Sequence, residues 1–104
     1  MAASDHLGQQ FIGLKELMNL PTRDYESLPV GAITPKMLPK SKKEYQALKE
    51  SIKTHGMKTP IEVHEETSEE GPWLYEGHHR AVIAGELKMA KVPVKYINTG
   101  GRPY

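Results

Sequence analysis

Apolar positions change their period several times along this chain, and each change predicts an element. Leu7, Phe11, Leu14 and Met18 recur at the spacing of one helical face, with Ile12 and Leu17 flanking it. Pro21 ends that pattern. Gly8 and Gly13 each cost such a helix about 1 kcal/mol relative to Ala, so it needs a surface to pack on. Residues 28–34 (LPVGAIT) read as a short strand entered through Pro29 and closed by Pro35, and KMLPKSKK reads as a lysine-rich loop. Ser41 and Glu44 form a capping box, in which hydroxyl and carboxylate each satisfy an orphaned backbone N–H. Tyr45, Leu48 and Ile52 then follow one helical face until Gly56, where a left-handed residue stops the helix.

Ile61 and Val63 alternate with Glu62 and His64, the pattern of a half-buried strand. EETSEEGP has loop composition and WLYE reads as the returning strand. A helix follows from about His78 to Lys88, burying some of Val82, Ile83, Ala84 and Leu87, and VPVKYI closes the sheet. The order β-α-β-β-α-β predicts a compact α+β domain, a mixed sheet with packed helices, plus an N-terminal amphipathic helix. The expected division is a helical extension over 1–24, the domain over 25–98 and a flexible tail over 99–104 (NTGGRPY from 98 on).

A length of 104 residues fits one domain with a modest core. No apolar run approaches the roughly 20 residues of a membrane span and no signal-peptide pattern is present, so no membrane partner is expected. With no cysteine, disulfide scaffolds, Cys-based zinc sites and thiol chemistry are excluded, and a cytoplasmic setting is the simplest expectation. The net charge of +1 hides a pattern. Residues 36–58 are lysine-rich, residues 59–76 carry glutamates but neither Lys nor Arg, and residues 77–104 are again basic. Two basic blocks around an acidic one suit a phosphate-rich partner, or simply two solvated helices and an acidic loop.

The chemistry concentrates between Trp73 and Ala90, where a strand meets Gly77 and His78-His79-Arg80 open a helix. A helix N-terminus presents unpaired N–H groups and about half a positive charge, so it receives anions. Gly77 permits close approach to the backbone, and Arg80 in the first turn can grip phosphate oxygens in a fork. The alternative is a Gly-initiated helix whose Arg80 pairs with Glu76 or Glu86. His78 and His79 point about 100° apart and so cannot chelate one metal together. The positive helix end favours neutral rings, one meeting ligand and the other structural. Glu62, Glu76 and His64 are the side chains available to bring a divalent ion to a bound phosphate, although no spacing enforces it. Trp73, Tyr75 and Tyr96 read as core or sheet-face residues rather than a stacking platform.

Residues 28 to 97 resemble the amino-terminal domain of the ParB/sulfiredoxin superfamily. LPVGAITP resembles its opening strand, EYQALKESIKTHGMKTPIEV its helix-to-strand segment, and WLYEGHHRAVIAGELKMAKVPVKYI its Gly-x-x-Arg helix with the closing Val-Pro-Val strand. The resemblance implies a pocket for the triphosphate of CTP or ATP, with Mg²⁺ as the accompanying ion. Carried over, its phosphate-binding residues are Gly77, His78, His79 and Arg80 on one side and Gly56, Lys58, Thr59 and Pro60 on the other. Here His78-His79 replace an acid and one arginine, as in the Gly-His-His-Arg form of small phage-encoded members described as ParB-like nucleases. Sulfiredoxins use a catalytic cysteine at this motif, which this chain lacks. Another branch phosphorylates free serine with a glutamate near the opening strand, where Glu26 stands without the matching motif.

Two functions follow. One is a nucleotide-handling or nucleic-acid-cleaving enzyme, a Mg²⁺-dependent nuclease or NTPase. In it Arg80 and the helix N–H groups stabilise charge on phosphate, and His78, His79 and Glu76 are the catalytic candidates. Lys36, Lys40, Lys42 and Lys43 form a basic loop that guides the polyanion inward. The other is a non-catalytic module that engages a host protein, DNA or a second copy through the amino-terminal helix; in a phage-encoded case it would act in the host cytoplasm.

Overall fold

The computed structural model describes residues 9–22, 25, 28–65 and 72–97. The expected tail, the tip of the acidic loop, Leu7 and Glu26 lie outside those residues. Four strands form one mixed sheet: β1 (Gln10–Gly13), β2 (Ile61–His64), β3 (Trp73–Glu76) and β4 (Lys91–Ile97), in the order β1-β4-β2-β3. β2 runs parallel to β4, and the other neighbours are antiparallel. Three helices accompany the sheet: α1 (Leu14–Asn19), α2 (Lys42–His55) and α3 (His78–Glu86).

α2 and α3 form where local signals place them. Ser41 Oγ accepts from the Glu44 N–H at 3.1 Å while the Glu44 carboxylate accepts from the Ser41 N–H, also at 3.1 Å. Gly56 ends α2 with φ +81°. β2 and β3 pair as an antiparallel hairpin with Val63 opposite Leu74.

Three expectations are corrected. The single amphipathic helix expected within residues 1–24 is instead the edge strand β1 followed by the six-residue helix α1. Pairing β1 with β4 satisfies backbone groups along Lys91–Val94 that would otherwise lie bare at the sheet edge. The flanking residues Ile12 and Leu17 are the buried ones; of the expected stripe Leu14 and Met18 pack partly buried against the core, and Phe11 is left 44% exposed. Residues 28–34 do not form a strand: Val30–Ala32 and Pro35–Met37 are 3₁₀ turns. The backbone here bonds locally instead of along a ladder, the Ala32 N–H to the Pro29 carbonyl at 2.8 Å and the Ile33 N–H to the Val30 carbonyl at 3.0 Å, which lets Val30 and Ile33 enter different parts of the core. His64, expected on the outer face, is buried beneath Trp73, their rings stacked at 4.7 Å.

The core has two parts that meet at α3. One cluster joins α1 and the sheet through Leu17, Ile61, Val63 and Val92 with Ala81 and Ala84 of α3. The other joins α2 through Tyr45 and Ile52 to Val82 and Ile83. Each fully buried Leu, Ile or Val contributes about 1.5–3 kcal/mol. The first turn of α3 is thus anchored from both sides, next to the segment that leads from α2 into β2.

Candidate anion site at the start of the third helix

Gly77 links β3 to α3 and takes a left-handed conformation, φ +101° and ψ 31°. A Cβ there would sit 2.9 Å from Ile61 Cγ2 and 3.2 Å from Ile61 Cα. Only glycine lets the turn pass so close to β2. No side chain caps the helix, and its first internal bond runs from the Ala81 N–H to the Gly77 carbonyl at 2.8 Å. The N–H groups ahead of Ala81 therefore have no partner within α3.

Arg80 leaves this turn toward the segment following α2. Its Nη2 donates to the Pro60 carbonyl at 3.1 Å, while its Nε–H is buried without a hydrogen-bond partner among the described residues. Neither Glu76 nor Glu86 lies within ion-pair distance: Glu86 instead accepts from the Tyr45 hydroxyl and pairs with Lys49 at 3.2 Å. The alternative in which Arg80 serves only to pair with an acid on its own helix or strand is therefore not what the fold builds.

Arg80 and Leu48 line two adjoining clefts. The larger, about 410 Å³, is bordered by Glu76, Gly77, His78 and His79, with Lys40 and Tyr25 across from them. The smaller, about 280 Å³, is bordered by His55, Gly56, Lys58 and Thr59. Pro60 adjoins through its bond to Arg80. Residues far apart in sequence, Gly56–Pro60 and Glu76–Arg80, are thereby brought to one place. Lys36, Lys40 and Lys42 line a third cleft, and Lys43 lines none of the three.

The two histidines are differently held. His79 Nε2 accepts from the Lys40 backbone N–H at 3.4 Å, a long bond that requires the neutral ring. Burial lowers the His79 pKa, and the positive charges of Lys40, His78 and Arg80 lower it further against the opposing pull of Glu44. The His78 ring packs against Tyr25, centroids 5.4 Å apart. Glu76 is exposed at the cleft mouth. His64 does not join the site: it pairs with Trp73 at one end of the hairpin, whereas Glu62 and Glu76 pair at the other. Among the described residues no three His, Asp or Glu side chains gather as a metal site.

Several lining residues, among them Leu48, Tyr25 and His55, escape a reading of the sequence. Leu48 falls on the apolar face of α2 and reads as core. Tyr25 reaches His78 only through the tertiary fold. His55 directly precedes Gly56, and that adjacency was the one available signal.

The four-stranded mixed sheet with its packed helices is a ParB/sulfiredoxin-like fold. The chain belongs to the ParB N-terminal domain family, whose model matches residues 14–101. Among solved structures it resembles sulfiredoxin from Arabidopsis thaliana, at 18% identity and a TM-score of 0.52, covering 86% of this chain and 85% of that one. It also resembles C-terminally truncated chromosome-partitioning ParB from Caulobacter crescentus complexed with CTP-gamma-S, at 16% identity and a TM-score of 0.56, covering 88% of this chain and 44% of that one. A free serine kinase in complex with AMP matches at 19% identity and a TM-score of 0.57, covering 89% of this chain and 32% of that one. This chain thus spans less than half the length of the partitioning protein and of the kinase. No curated protein matches it. No helix among the described residues is long and apolar enough to cross a membrane.

Proposed function

We propose that this domain binds a nucleoside triphosphate, CTP or ATP, through its phosphates at the start of α3. The observation that carries the reading is Arg80: the Pro60 carbonyl fixes its guanidinium between two clefts, and its buried Nε–H has no hydrogen-bond partner among the described residues. A buried donor left unmade costs about 1–3 kcal/mol, and a phosphate oxygen would remove that cost. The uncapped N–H groups of the first turn add donors on the same side, and Lys58 and Thr59 offer a charge and a hydroxyl from the smaller cleft. Nucleotide ligands in the partitioning protein and in the serine kinase support the same chemistry on this fold.

Mg²⁺ fits here as an ion carried mainly by the phosphates, with Glu76 as the carboxylate at the cleft mouth. When bound it would neutralise phosphate charge. Hydrolysis is the enzymatic form of the proposal, with Arg80 stabilising charge on the phosphoryl group and His78 or Glu76 orienting water. His79 is the weaker base, because its ring nitrogen already accepts from Lys40. A nucleic-acid phosphate would use the same donors, and phosphodiester cleavage would be the nuclease form.

A thermal-shift panel of the four NTPs, each with and without Mg²⁺, tests the proposal. A ligand at a hundredfold its Kd stabilises by about 2.7 kcal/mol, which in a domain of this size raises Tm by roughly 10–20 °C. Arg80→Ala should abolish that rise and leave the unliganded fold intact. An equal rise in wild type and Arg80→Ala would refute it, as would none with any NTP.

A further inference from the structure

The third cleft lies apart from the Gly77 turn and has a different character. It measures about 550 Å³ and opens between the Pro35–Met37 turn and the first turns of α2. Leu38 and Tyr45, 6% and 4% exposed, form its floor with Pro35, while Lys36, Lys40 and Lys42 stand exposed around the rim. Among the described residues none of these three lysines has an ion-pair partner. Glu86 is the acid lining the cleft, and it is already engaged by the Tyr45 hydroxyl and Lys49. The surface therefore joins a concave apolar floor to a rim of three lysines, of which Lys40 alone feels a nearby free carboxylate, that of Glu44.

We propose that this cleft docks an acidic peptide segment of a partner protein, which seats one aliphatic or aromatic side chain over Leu38 and Tyr45 and sets its carboxylates against Lys36, Lys40 and Lys42. An apolar anchor inside a charged rim is how small protein interfaces divide affinity from specificity. Charge complementarity rules out a basic partner. A nucleic-acid strand fits less well, because stacking needs an open aromatic face, and Tyr45 is buried with its hydroxyl bonded to Glu86. The proposal stands independently of Arg80.

The test titrates the ¹⁵N-labelled full chain, at low salt, with the capped hexapeptide Glu-Glu-Leu-Phe-Glu-Glu. Hexaglutamate and Lys-Lys-Leu-Phe-Lys-Lys serve as controls, and a single-stranded oligonucleotide as competitor. Shift changes should cluster between Thr34 and Gln46. Lys36→Glu/Lys42→Glu should weaken binding by about tenfold. Gln46→Trp, which fills the cleft from an exposed helix position, should do the same. Lys40 is left intact because it also borders the Arg80 cleft, and NTP-induced thermal shifts should not change in Gln46→Trp, which adds no charge and lines neither cleft at Arg80. The proposal is overturned if the hexapeptide does not bind at millimolar concentration, if hexaglutamate or the basic peptide binds equally well, or if both variants bind like wild type. Displacement by the oligonucleotide at equal concentration would also overturn it, in favour of nucleic acid.

Discussion

Gly77→Ala is the substitution whose cost the structure fixes best. A residue with a Cβ held at φ +101° pays about 1–3 kcal/mol for its backbone conformation. The added methyl would also lie 2.9 Å from Ile61 Cγ2 and 3.2 Å from Ile61 Cα, in a place where Ile61 is wholly buried and cannot step aside. Overpacking of that kind costs about a further 1–3 kcal/mol. The expected loss is therefore about 2–6 kcal/mol, a large part of the roughly 5–15 kcal/mol that stabilises a typical domain. Gly56→Ala separates the two contributions. Gly56 also has positive φ, +81°, but nothing lies within 4 Å of its Cβ position, so it should lose only the backbone part, about 1–3 kcal/mol. Urea unfolding followed by circular dichroism measures both, provided the slope m stays constant. If Gly77→Ala unfolds at the wild-type midpoint, or costs no more than Gly56→Ala, the close approach of the turn to β2 is wrong.

Three further outcomes are expected. Ser41→Ala removes the oxygen that caps α2 and should cost about 1 kcal/mol by the same urea assay, with Ser41→Asp near neutral. Ile12→Asp places a charge at a position 3% exposed in the edge strand; it should lower Tm strongly, whereas the same change at exposed Phe11 should be mild, and equal effects would argue against β1. Because the folded protein lowers the His79 pKa, it binds fewer protons than the unfolded chain. Stability from this group is present above about pH 6.5 and is lost as pH falls through the folded value. His79→Gln should flatten part of the fall in urea midpoint between neutral and mildly acidic pH, and an unchanged profile would count against a neutral ring accepting from the Lys40 N–H.

Local signals explain what the sequence made legible. The Ser41–Glu44 cap, the Gly56 stop and the Tyr45/Ile52 stripe lie within a few residues of each other, so α2 could be read with its ends. The hairpin and α3 follow from alternation and from Gly77. β1 was hidden because four apolar residues fell by coincidence at helical spacing, and only β4, eighty residues on, supplies the edge that makes Gln10–Gly13 a strand. His64 alternates as an outward residue, yet the Trp73 ring covers it. Around Arg80 the motifs named the segments but not their contact: the bond to the Pro60 carbonyl crosses twenty residues. Tyr25 carried no local mark at all.

The most direct measurement is a ¹H–¹⁵N spectrum of the full chain titrated with CTP or ATP and Mg²⁺, following the amides of Gly77, His78, His79 and Arg80 together with the Arg80 Nε–H. With phosphates seated at the start of α3, these resonances should move together to saturation, and the Nε–H should move downfield as it gains an acceptor. Saturable nucleotide binding that leaves these five signals in place would contradict that seating.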